Sequence, residues 1–481
     1  MNALDAPAGM GNHAPFLERG FTTDAHELSY AIEEVEGETP DFICGSYYLN
    51  GPARFARAGM RYRHWLDGDG MVCALRFERG HVYFLNRFVR SDKFVAEEEA
   101  GQPIFRTFGT AFEGDQLKRG MALESPMNVS VYPYSRTLLA LGEQGLPWEL
   151  DPVTLETRGK FTFGGCLNDV SPFAAHPKFD PTTGEMFNFG ISFSATRPTL
   201  NLYRFNRQAK LLYRKRHRVD FPCSVHDFSL SPCYSIFYLS PYILKMEMLA
   251  REGRTLMEAL NWEPERGSRL FIASRRTGDE VATIPVGQRY CLHLINCFET
   301  DGRLIVDVVE YDRPLYDQYQ VVPELFTDVG EGQPVRFVVD MKSCEVIARQ
   351  QIDYRLAPDF PSIDPRQATQ PYRDFWMLGI SATGQRGRKF FDQLVHANWG
   401  EATAKDIYQA PAMQYLGGEP IFIGDPHDPG TGAIMCQVFD AEHATSGFAI
   451  FNAFHVARGP VSVLRLKEPI PPLFHASFHR E

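Results

Sequence analysis

The feature that most constrains the fold is a hairpin pattern that recurs along the chain. A short apolar strand runs into a turn containing an acid or Asn, and a second strand follows, which is typical of antiparallel sheet. Such hairpins occupy residues 138–155, 202–214, 336–348 and 437–451. Repeated hairpins of one type predict an all-β protein, and more specifically a β-propeller in which each blade is one such unit. The repeats have diverged too far for the blades to be counted.

Length and composition agree with one large all-β unit. The chain has 481 residues, and its 39 Gly, 33 Pro and 13% aromatic residues favour short strands and turns over long helices. Propellers of this length form a single domain. We therefore expect residues 1–20 to be a flexible N-terminal tail and residues 21–481 to form one β-propeller domain.

Charge and cysteine content exclude several classes of partner. The net charge of −11 argues against nucleic acid, whose binding needs a basic surface. Residues 1–15 lack the apolar core of a signal peptide, and no apolar run is long enough to span a membrane. The nine cysteines include no C-x-x-C pair and are interpreted as reduced thiols of a cytoplasmic protein. No obligate protein partner is indicated.

Four histidines begin or end strand-like segments and are the candidate metal ligands: His176, His226, His293 and His475. No local metal motif has such wide spacing. The inner strands of a propeller converge on one axis, however, so that distant residues can meet there. Imidazole suits iron, zinc, copper and nickel, and the residues alone do not choose among them. Structural histidines remain the alternative, as does a zinc pair formed by His475 and His479, although no Glu follows His475.

The segment Asp67-Gly68-Asp69-Gly70-Met71 places two acids between glycines. A calcium loop is one interpretation, but the later ligand positions of such a loop are missing. A tight β-turn is the other interpretation.

Residues 241–262 interrupt the strand pattern with helical spacing and a Met-rich apolar face. One interpretation is a helix that caps the propeller. The alternatives are a patch that dips into a membrane and the mouth of an apolar tunnel. The expected location is the cytoplasm, with or without peripheral membrane contact through this segment.

The chain resembles the carotenoid cleavage oxygenase family, which includes apocarotenoid oxygenases, lignostilbene dioxygenases and the retinoid isomerohydrolase of the eye. The resemblance runs from about Glu34 to the C-terminus, and seven motifs occur in the family's order. They are residues 45–52, residues 67–71, Ala175-His176-Pro177, Val225-His226-Asp227-Phe228, residues 293–299, Gly418-Glu419-Pro420-Ile421-Phe422 and residues 473–478. Each motif is weak alone, and together they are specific.

The resemblance implies a seven-bladed β-propeller with a dome of loops and helices over one face. It also implies Fe(II) held by His176, His226, His293 and His475, with carboxylates behind three of them at Glu143, Asp359 and Glu419. The family usually has Glu at the second of these positions. We expect the shorter Asp359 to reach its histidine less directly, through water.

The implied activity is that of a non-haem iron dioxygenase in residues 21–481, which adds both atoms of O₂ across a conjugated C=C bond to give two carbonyl products. No catalytic residue beyond the metal centre and no organic cofactor are expected. The partners are O₂ and an apolar polyene. An isomerisation with ester cleavage on the same scaffold, or a non-catalytic binding propeller, stays open.

Two positions bear on the substrate. Stilbene-cleaving members resemble one another in a Lys directly before the first carboxylate, where this chain has Gly142. This favours a carotenoid or apocarotenoid over a stilbene, which remains the alternative. Some relatives have a small Thr near the open metal position, where this chain has Met127, and we expect Met127 either to tighten the pocket or to alter O₂ binding.

Overall fold

Seven antiparallel sheets make up the body of the protein in a computed structural model that describes residues 16–78, 80–118, 122–194, 197–321 and 325–480. The sheets follow one another along the chain as blades 1 to 7, and their innermost strands surround a common axis. The all-β, seven-bladed β-propeller is thereby confirmed.

The first four blades each contain strands that are antiparallel neighbours. Blade 1 contains Ser29–Ala31, Gly45–Arg54, Asp69–Glu78, His81–Phe88 and His475–His479. Blade 2 contains Ser130–Tyr134, Thr137–Leu141, Trp148–Leu150 and Thr157–Lys160. Blade 3 contains Lys178–Phe179, Met186–Ser192, Thr199–Phe205 and Leu211–Arg218. Blade 4 contains Phe228–Leu230, Tyr234–Leu239, Ser268–Ser274 and Glu280–Gly287.

The last three blades complete the ring. Blade 5 contains Tyr290–Thr300, Arg303–Tyr311, Gly332–Asp340 and Glu345–Gln351. Blade 6 contains Asp359–Ser362, Asp374–Gly379, Gln393–Asn398 and Asp406–Gln409. Blade 7 contains Val35–Gly37, Gln414–Gly424, Gly432–Asp440, Thr445–Asn452 and Pro460–Arg465. Two small hairpins pair Ala56–Arg57 with Met60–Arg61 and Tyr242–Leu244 with Leu260–Trp262.

Segments from opposite ends of the chain close the ring at two adjacent blades. In blade 1, His475–His479 is the innermost strand and pairs with Gly45–Arg54. In blade 7, Val35–Gly37 is the outermost strand and pairs with Pro460–Arg465. Because each segment adds to a sheet built from the other end of the sequence, the ring is held by backbone hydrogen bonds as well as by packing between blades.

Burial along a blade explains the different residue patterns of its strands. In blade 5, the inner strand Tyr290–Thr300 is buried almost throughout, whereas the outer strand Glu345–Gln351 is mostly exposed. Strands that are covered on both faces need continuous apolar side chains, and edge strands tolerate charge. Neighbouring blades pack face to face, as when Ile236 and Ile272 of blade 4 share an apolar cluster with Val335 of blade 5.

The helices are short and lie between strands. The α-helices are Asp92–Ala100, Met246–Ala250 and Leu256–Ala259. The 3-10 helices are Leu17–Phe21, Trp65–Asp67, Pro264–Arg266, Tyr316–Tyr319, Pro365–Gln367 and Val456–Arg458. None of the helices within the described residues is both long and apolar enough to cross a membrane. All nine cysteines are free thiols, as expected.

Loops and helices from several blades form a dome over one end of the axis. Phe108, Leu256, Tyr316 and Phe326 from these connections share one buried apolar cluster with Phe474, which directly precedes the inner strand of blade 1. The dome expected from the family resemblance is therefore present, and its packing is apolar.

The interpretation of residues 241–262 as one capping helix is only partly borne out. The segment is a hairpin of two short strands, Tyr242–Leu244 and Leu260–Trp262, that encloses two helices of five and four residues. Its leucines are buried and its methionines are half-buried, while the tip at residues 250–254 is exposed and carries charged side chains. Strand pairing at both ends of the segment overrides the helical spacing of the apolar residues.

The predicted tail of residues 1–20 also extends too far. Leu17–Phe21 forms a 3-10 helix in which Leu17 and Phe21 are buried, and Phe21 packs edge-on against Trp65. Burial of two large apolar side chains stabilises this segment against the dome. Residues 1–15 lie outside the described part of the chain.

Candidate metal centre

The four predicted histidines come from the inner strands of four blades. His176 and His226 lie two residues before the inner strands of blades 3 and 4, which begin at Lys178 and Phe228. His293 lies within the inner strand of blade 5, and His475 begins the inner strand of blade 1. Because these strands converge at the axis, residues separated by up to 299 positions (475 − 176) meet at one point.

All four imidazoles are buried and face one another. Each histidine is at most 8% exposed, and one ring nitrogen from each lies within 4.8 Å of the corresponding atoms of the other three. Ring centroids are between 4.3 and 6.2 Å apart. The Nε2 atoms of His176 and His226 are separated by 2.8 Å. This convergence of nitrogen donors could hold a metal ion.

Carboxylates lie behind three of the four rings. Nδ1 of His226 is 2.8 Å from Glu143, Nδ1 of His293 is 2.6 Å from Asp359, and Nδ1 of His475 is 3.3 Å from Glu419. A proton shared between Nδ1 and a carboxylate leaves the Nε2 lone pair free for the centre. The three carboxylates therefore fix both the tautomer and the orientation of their rings.

The expectation that Asp359 reaches its histidine through water was wrong. Its Oδ1 atom contacts His293 directly and also accepts from the backbone N–H of Phe360 at 2.8 Å. Its Oδ2 atom accepts from the hydroxyl of Tyr319 at 2.7 Å. The short side chain suffices because Asp359 begins the inner strand of blade 6, beside the strand that bears His293.

Irregular strand pairing in three inner strands directs His293, Asp359 and Glu419 towards the axis. Register shifts occur between Cys291 and Leu294, between Asp359 and Ser362, and between Gly417 and Ile421, so His293, Asp359 and Glu419 all lie at bulges. A bulge turns a side chain out of the regular alternation of a strand and is common beside functional sites. The local backbone thereby aims these groups at the axis.

Burial and neighbouring charge set the protonation of the centre. Burial, together with the other three rings, holds the pKa of His176 well below its usual value, and burial also lowers the pKa of His475. Burial opposes charge on His226 as well, but the carboxylate of Glu143 outweighs it and raises the pKa of that ring. Burial raises the pKa of Glu419 to about 7. Neutral imidazole is the form that binds metal.

An unsatisfied nitrogen shows that the site fits a cation. Nε2 of His293 is buried and has no hydrogen-bond partner among the described residues. A buried polar atom without a partner is costly, and a metal ion at the centre would satisfy it. Four nitrogen donors with carboxylates behind them suit a divalent transition metal better than calcium or magnesium, which prefer oxygen ligands.

An apolar cavity opens beside the histidines. Phe189 and Ile191 of blade 3, Leu244, Leu256 and Leu260 of the 241–262 hairpin, and Phe108 form much of its wall. Glu143 and Tyr316 also line it, and the ring of Tyr316 lies 6.5 Å from that of His226. Of the interpretations of residues 241–262, the cavity contacts support the mouth of an apolar tunnel.

Neither of the two positions expected to influence the substrate, Met127 and Gly142, is among the residues that line the described cavity. Met127 packs with Val72 and Val131 between blades 1 and 2, so its described contacts lend no support to a tighter pocket, and an effect of Met127 on O₂ binding stays a prediction. Gly142 precedes Glu143, and a Cβ atom there would lie 2.0 Å from Oγ of Ser125. This close approach leaves no space for a Lys side chain unless Ser125 moves.

The Asp67-Gly68-Asp69-Gly70 segment is structural. Asp67 accepts from Gly109 and Thr110, and Asp69 accepts from Arg57 and Lys93. Protein donors therefore occupy both carboxylates, which leaves the calcium interpretation without support. Likewise, His479 ends the strand that His475 begins and is exposed, so the two do not form a helical zinc pair.

Known proteins resemble this chain over nearly its whole length. It is 30% identical to apocarotenoid-15,15'-oxygenase of Synechocystis sp., an alignment that covers 96% of this chain and 95% of that protein. It is 29% identical to isoeugenol monooxygenase of Pseudomonas putida, with 90% and 91% covered. It is 27% identical to lignostilbene-alpha,beta-dioxygenase isozyme III of Sphingomonas paucimobilis, with 91% of each chain covered.

Solved structures agree with this likeness. A cobalt-substituted Synechocystis apocarotenoid oxygenase superposes with a TM-score of 0.87 at 27% identity, covering 97% of this chain and 98% of that one. The family described as retinal pigment epithelial membrane protein matches residues 21–480. The chain therefore belongs to this family of carotenoid and stilbene cleavage oxygenases.

Proposed function

We propose that the protein is a non-haem Fe(II) dioxygenase that cleaves a conjugated C=C bond of a carotenoid or apocarotenoid. The observation that carries the proposal is the convergence of His176, His226, His293 and His475 beside an apolar cavity. When bound, Fe(II) would supply the activation of O₂, a reaction that amino-acid side chains alone cannot carry out.

The chain itself orients the metal-binding rings and excludes water from the cavity. Glu143, Asp359 and Glu419 hold three rings with Nε2 towards the centre, and the negative charge of Glu143 and Asp359 partly offsets that of the cation. The walls formed by Phe189, Ile191 and the hairpin leucines bind a hydrocarbon chain by burial of apolar surface. The position of the double bond is then set by how far the substrate enters.

The lining favours a hydrocarbon over a phenol. Most of the cavity residues are apolar, and Gly142 stands where stilbene-cleaving relatives resemble one another in having Lys. The relatives include an enzyme named for apocarotenoids and one named for lignostilbenes. A stilbene-type substrate is the second candidate, because Tyr316 presents an aromatic ring with a hydroxyl to the same cavity.

The test is a parallel incubation of Fe(II)-loaded protein with a long apocarotenal and with resveratrol, analysed by mass spectrometry. Aldehydes from the apocarotenal alone are expected and identify the cleaved bond. Hydroxybenzaldehydes from resveratrol alone would replace the carotenoid assignment with the stilbene one. Products from neither, with iron bound, would contradict both.

A matched pair of variants tests the metal requirement. His226→Ala removes one buried nitrogen donor, and we expect both iron content and turnover to collapse. His427→Ala changes an exposed histidine in a turn and should leave both unchanged. Full activity of His226→Ala would contradict the metal assignment.

A further inference from the structure

Tyr319 joins the dome to the candidate metal centre through Asp359. Its hydroxyl donates to Oδ2 of Asp359 at 2.7 Å, while Oδ1 of the same carboxylate accepts from Nδ1 of His293 at 2.6 Å. The carboxylate is 1% exposed, so water does not replace a lost partner. Tyr319 is the donor to Oδ2 among the hydrogen bonds of the described residues, while the hydroxyl of Tyr311 also lies beside the carboxylate but donates to the carbonyl of Pro358. Loss of the Tyr319 hydroxyl would loosen the carboxylate and let it rotate relative to His293.

The ring of Tyr319 is fixed by aromatic packing. It lies edge-on to Trp65 at 5.5 Å and to Phe326 at 5.1 Å, and it is buried. Tyr319 ends the 3-10 helix Tyr316–Tyr319, whose first residue lines the cavity. One turn of helix therefore presents one tyrosine to the substrate space and another to the support of a metal-site histidine.

His64 anchors this turn. The backbone N–H of Leu66 donates to Nδ1 of His64 at 3.0 Å, so Nδ1 is unprotonated and Nε2 carries the hydrogen. Nε2 then donates to the carbonyl of Tyr316 at 2.6 Å. The backbone N–H of Val321 donates to the carbonyl of Arg63 at 2.6 Å, which clamps the other end of the turn.

Asp67, the first acid of the Asp67–Gly70 segment, holds His64 in place. Its carboxylate accepts from the backbone N–H of His64 at 3.0 Å and from the hydroxyl of Thr110 at 2.6 Å. Its other oxygen accepts from the backbone N–H of Gly109 at 2.8 Å. The contacts thus run from this motif through His64 and the tyrosine turn to Asp359 and His293.

We propose that Tyr319 is a positioning residue of the metal centre, which holds the short side chain of Asp359 so that this carboxylate aims His293 at the metal. The inference rests on the metal-binding part of the proposed function. It explains how Asp serves at a position where the family resemblance predicts the longer Glu: a tyrosine hydroxyl supplies the restraint that side-chain length does not.

The test uses Tyr319→Phe, which keeps the ring and removes only the hydroxyl. The matched control is Tyr354→Phe, because Tyr354 is also buried but donates to Gln393 instead. Fe(II) affinity is measured by chelator competition without oxygen, and the geometry of the site by electron paramagnetic resonance of the nitric oxide adduct. We expect Tyr319→Phe to weaken Fe(II) binding about tenfold, as when groups that orient a ligand are removed, and to broaden the spectrum. Tyr354→Phe should change neither.

A double-mutant cycle with Asp359→Ala, which removes the acceptor altogether, separates positioning from general stability. If Tyr319 acts only through the carboxylate, Tyr319→Phe should cause little further loss of Fe(II) affinity in the Asp359→Ala protein. With an apocarotenal as substrate, kcat should fall in Tyr319→Phe while KM stays within about twofold, because His64 still holds Tyr316.

The outcomes are distinguishable. Wild-type affinity and spectrum in Tyr319→Phe, or fully additive losses in the cycle, would overturn the inference and leave the proposed function intact. A wild-type protein that binds no Fe(II) would overturn both. A protein whose metal binding behaves as expected but that cleaves no polyene would overturn only the substrate assignment.

Discussion

Nδ1 of His226 lies 2.8 Å from Oε2 of Glu143, although 83 positions separate the two residues and they belong to blades 4 and 2. Glu143 also lines the cavity. The same carboxylate thus restrains a candidate metal ligand and borders the space for the substrate, so a change at this residue affects the centre from behind and the cavity from its wall.

Replacement of Glu143 by Gln should weaken metal binding without loss of the fold. The amide keeps the shape of the side chain but removes the charge that orients His226, and such changes lower metal affinity by about 10–100-fold. Chelator competition with Fe(II) measures the effect. Glu149→Gln is the control, because Glu149 contacts Thr137 and Arg158 instead. Equal affinity of the two variants would contradict the role of Glu143.

Ile191→Trp should shorten the cavity and change substrate selection. Ile191 lines the cavity, and an indole there occupies space that a long polyene would need. We expect KM for a long apocarotenal to rise about tenfold or more, a loss of about 1.4 kcal/mol of binding, with iron content unchanged. The same substitution at Ile347, which is 49% exposed on the outer strand of blade 5, should leave KM unaltered. A normal KM for Ile191→Trp would place the polyene elsewhere.

Gly142→Ala should destabilise the protein by about 1 kcal/mol, because the new Cβ forces the hydroxyl of Ser125 out of its position. Oγ of Ser125 is buried and has no hydrogen-bond partner among the described residues, so Ser125→Ala alone should cost little. The double variant should recover most of the lost stability. Chemical denaturation measures the free energy of unfolding of the three variants. Additive losses would show that the two positions do not compete for space.

Asp69→Asn should destabilise the protein by about 1.5–3 kcal/mol at neutral pH, because the buried ammonium of Lys93 and the guanidinium of Arg57 each lose one carboxylate partner and keep Glu97. Burial favours the neutral acid, but these two cations outweigh it and lower the pKa of Asp69 below its usual value of 3.8.

The pH dependence of that loss has a definite sign. A carboxyl whose pKa is lower in the folded than in the unfolded state contributes its full stability above pH 3.8 and loses it as the pH falls towards the folded pKa. The difference in free energy of unfolding between wild type and Asp69→Asn should therefore be constant above about pH 5 and shrink below pH 3.8. Asp428→Asn, in an exposed turn, should show no comparable loss at neutral pH. A constant gap down to pH 2 would contradict the ion cluster as its cause.

The hairpin pattern was enough to predict the class of fold because each hairpin is a local structure with turn residues at fixed places. The four histidines could be selected because each stands at the edge of a strand-like run, as His226 does before Phe228. Their convergence follows from the ring and is visible in no short stretch of sequence. The resemblance to a known family was needed to favour a joint iron site at these four, among 14 histidines, over structural roles.

The features that escaped prediction depend on contacts between distant segments. The cavity combines Phe108, Ile191, Leu256 and Tyr316 from four separate connections and strands, and no spacing in the sequence relates them. The pairing of Tyr242 with Trp262 turned a helical pattern into a hairpin. The direct contact of Asp359 with His293 depends on the relative position of two blades, which side-chain length alone does not reveal.

Closure of blade 1 by His475–His479 brings the fourth imidazole of the candidate metal centre into place. The strand that delivers His475 pairs with Asn50, so the contact joins residues 425 positions apart (475 − 50), the kind of long-range pairing that forms slowly. An open ring offers three of the four imidazoles, without the one that Glu419 supports. Uptake of a metal ion by all four imidazoles would therefore require the closed ring, and a bound ion would in turn stabilise the ring against reopening.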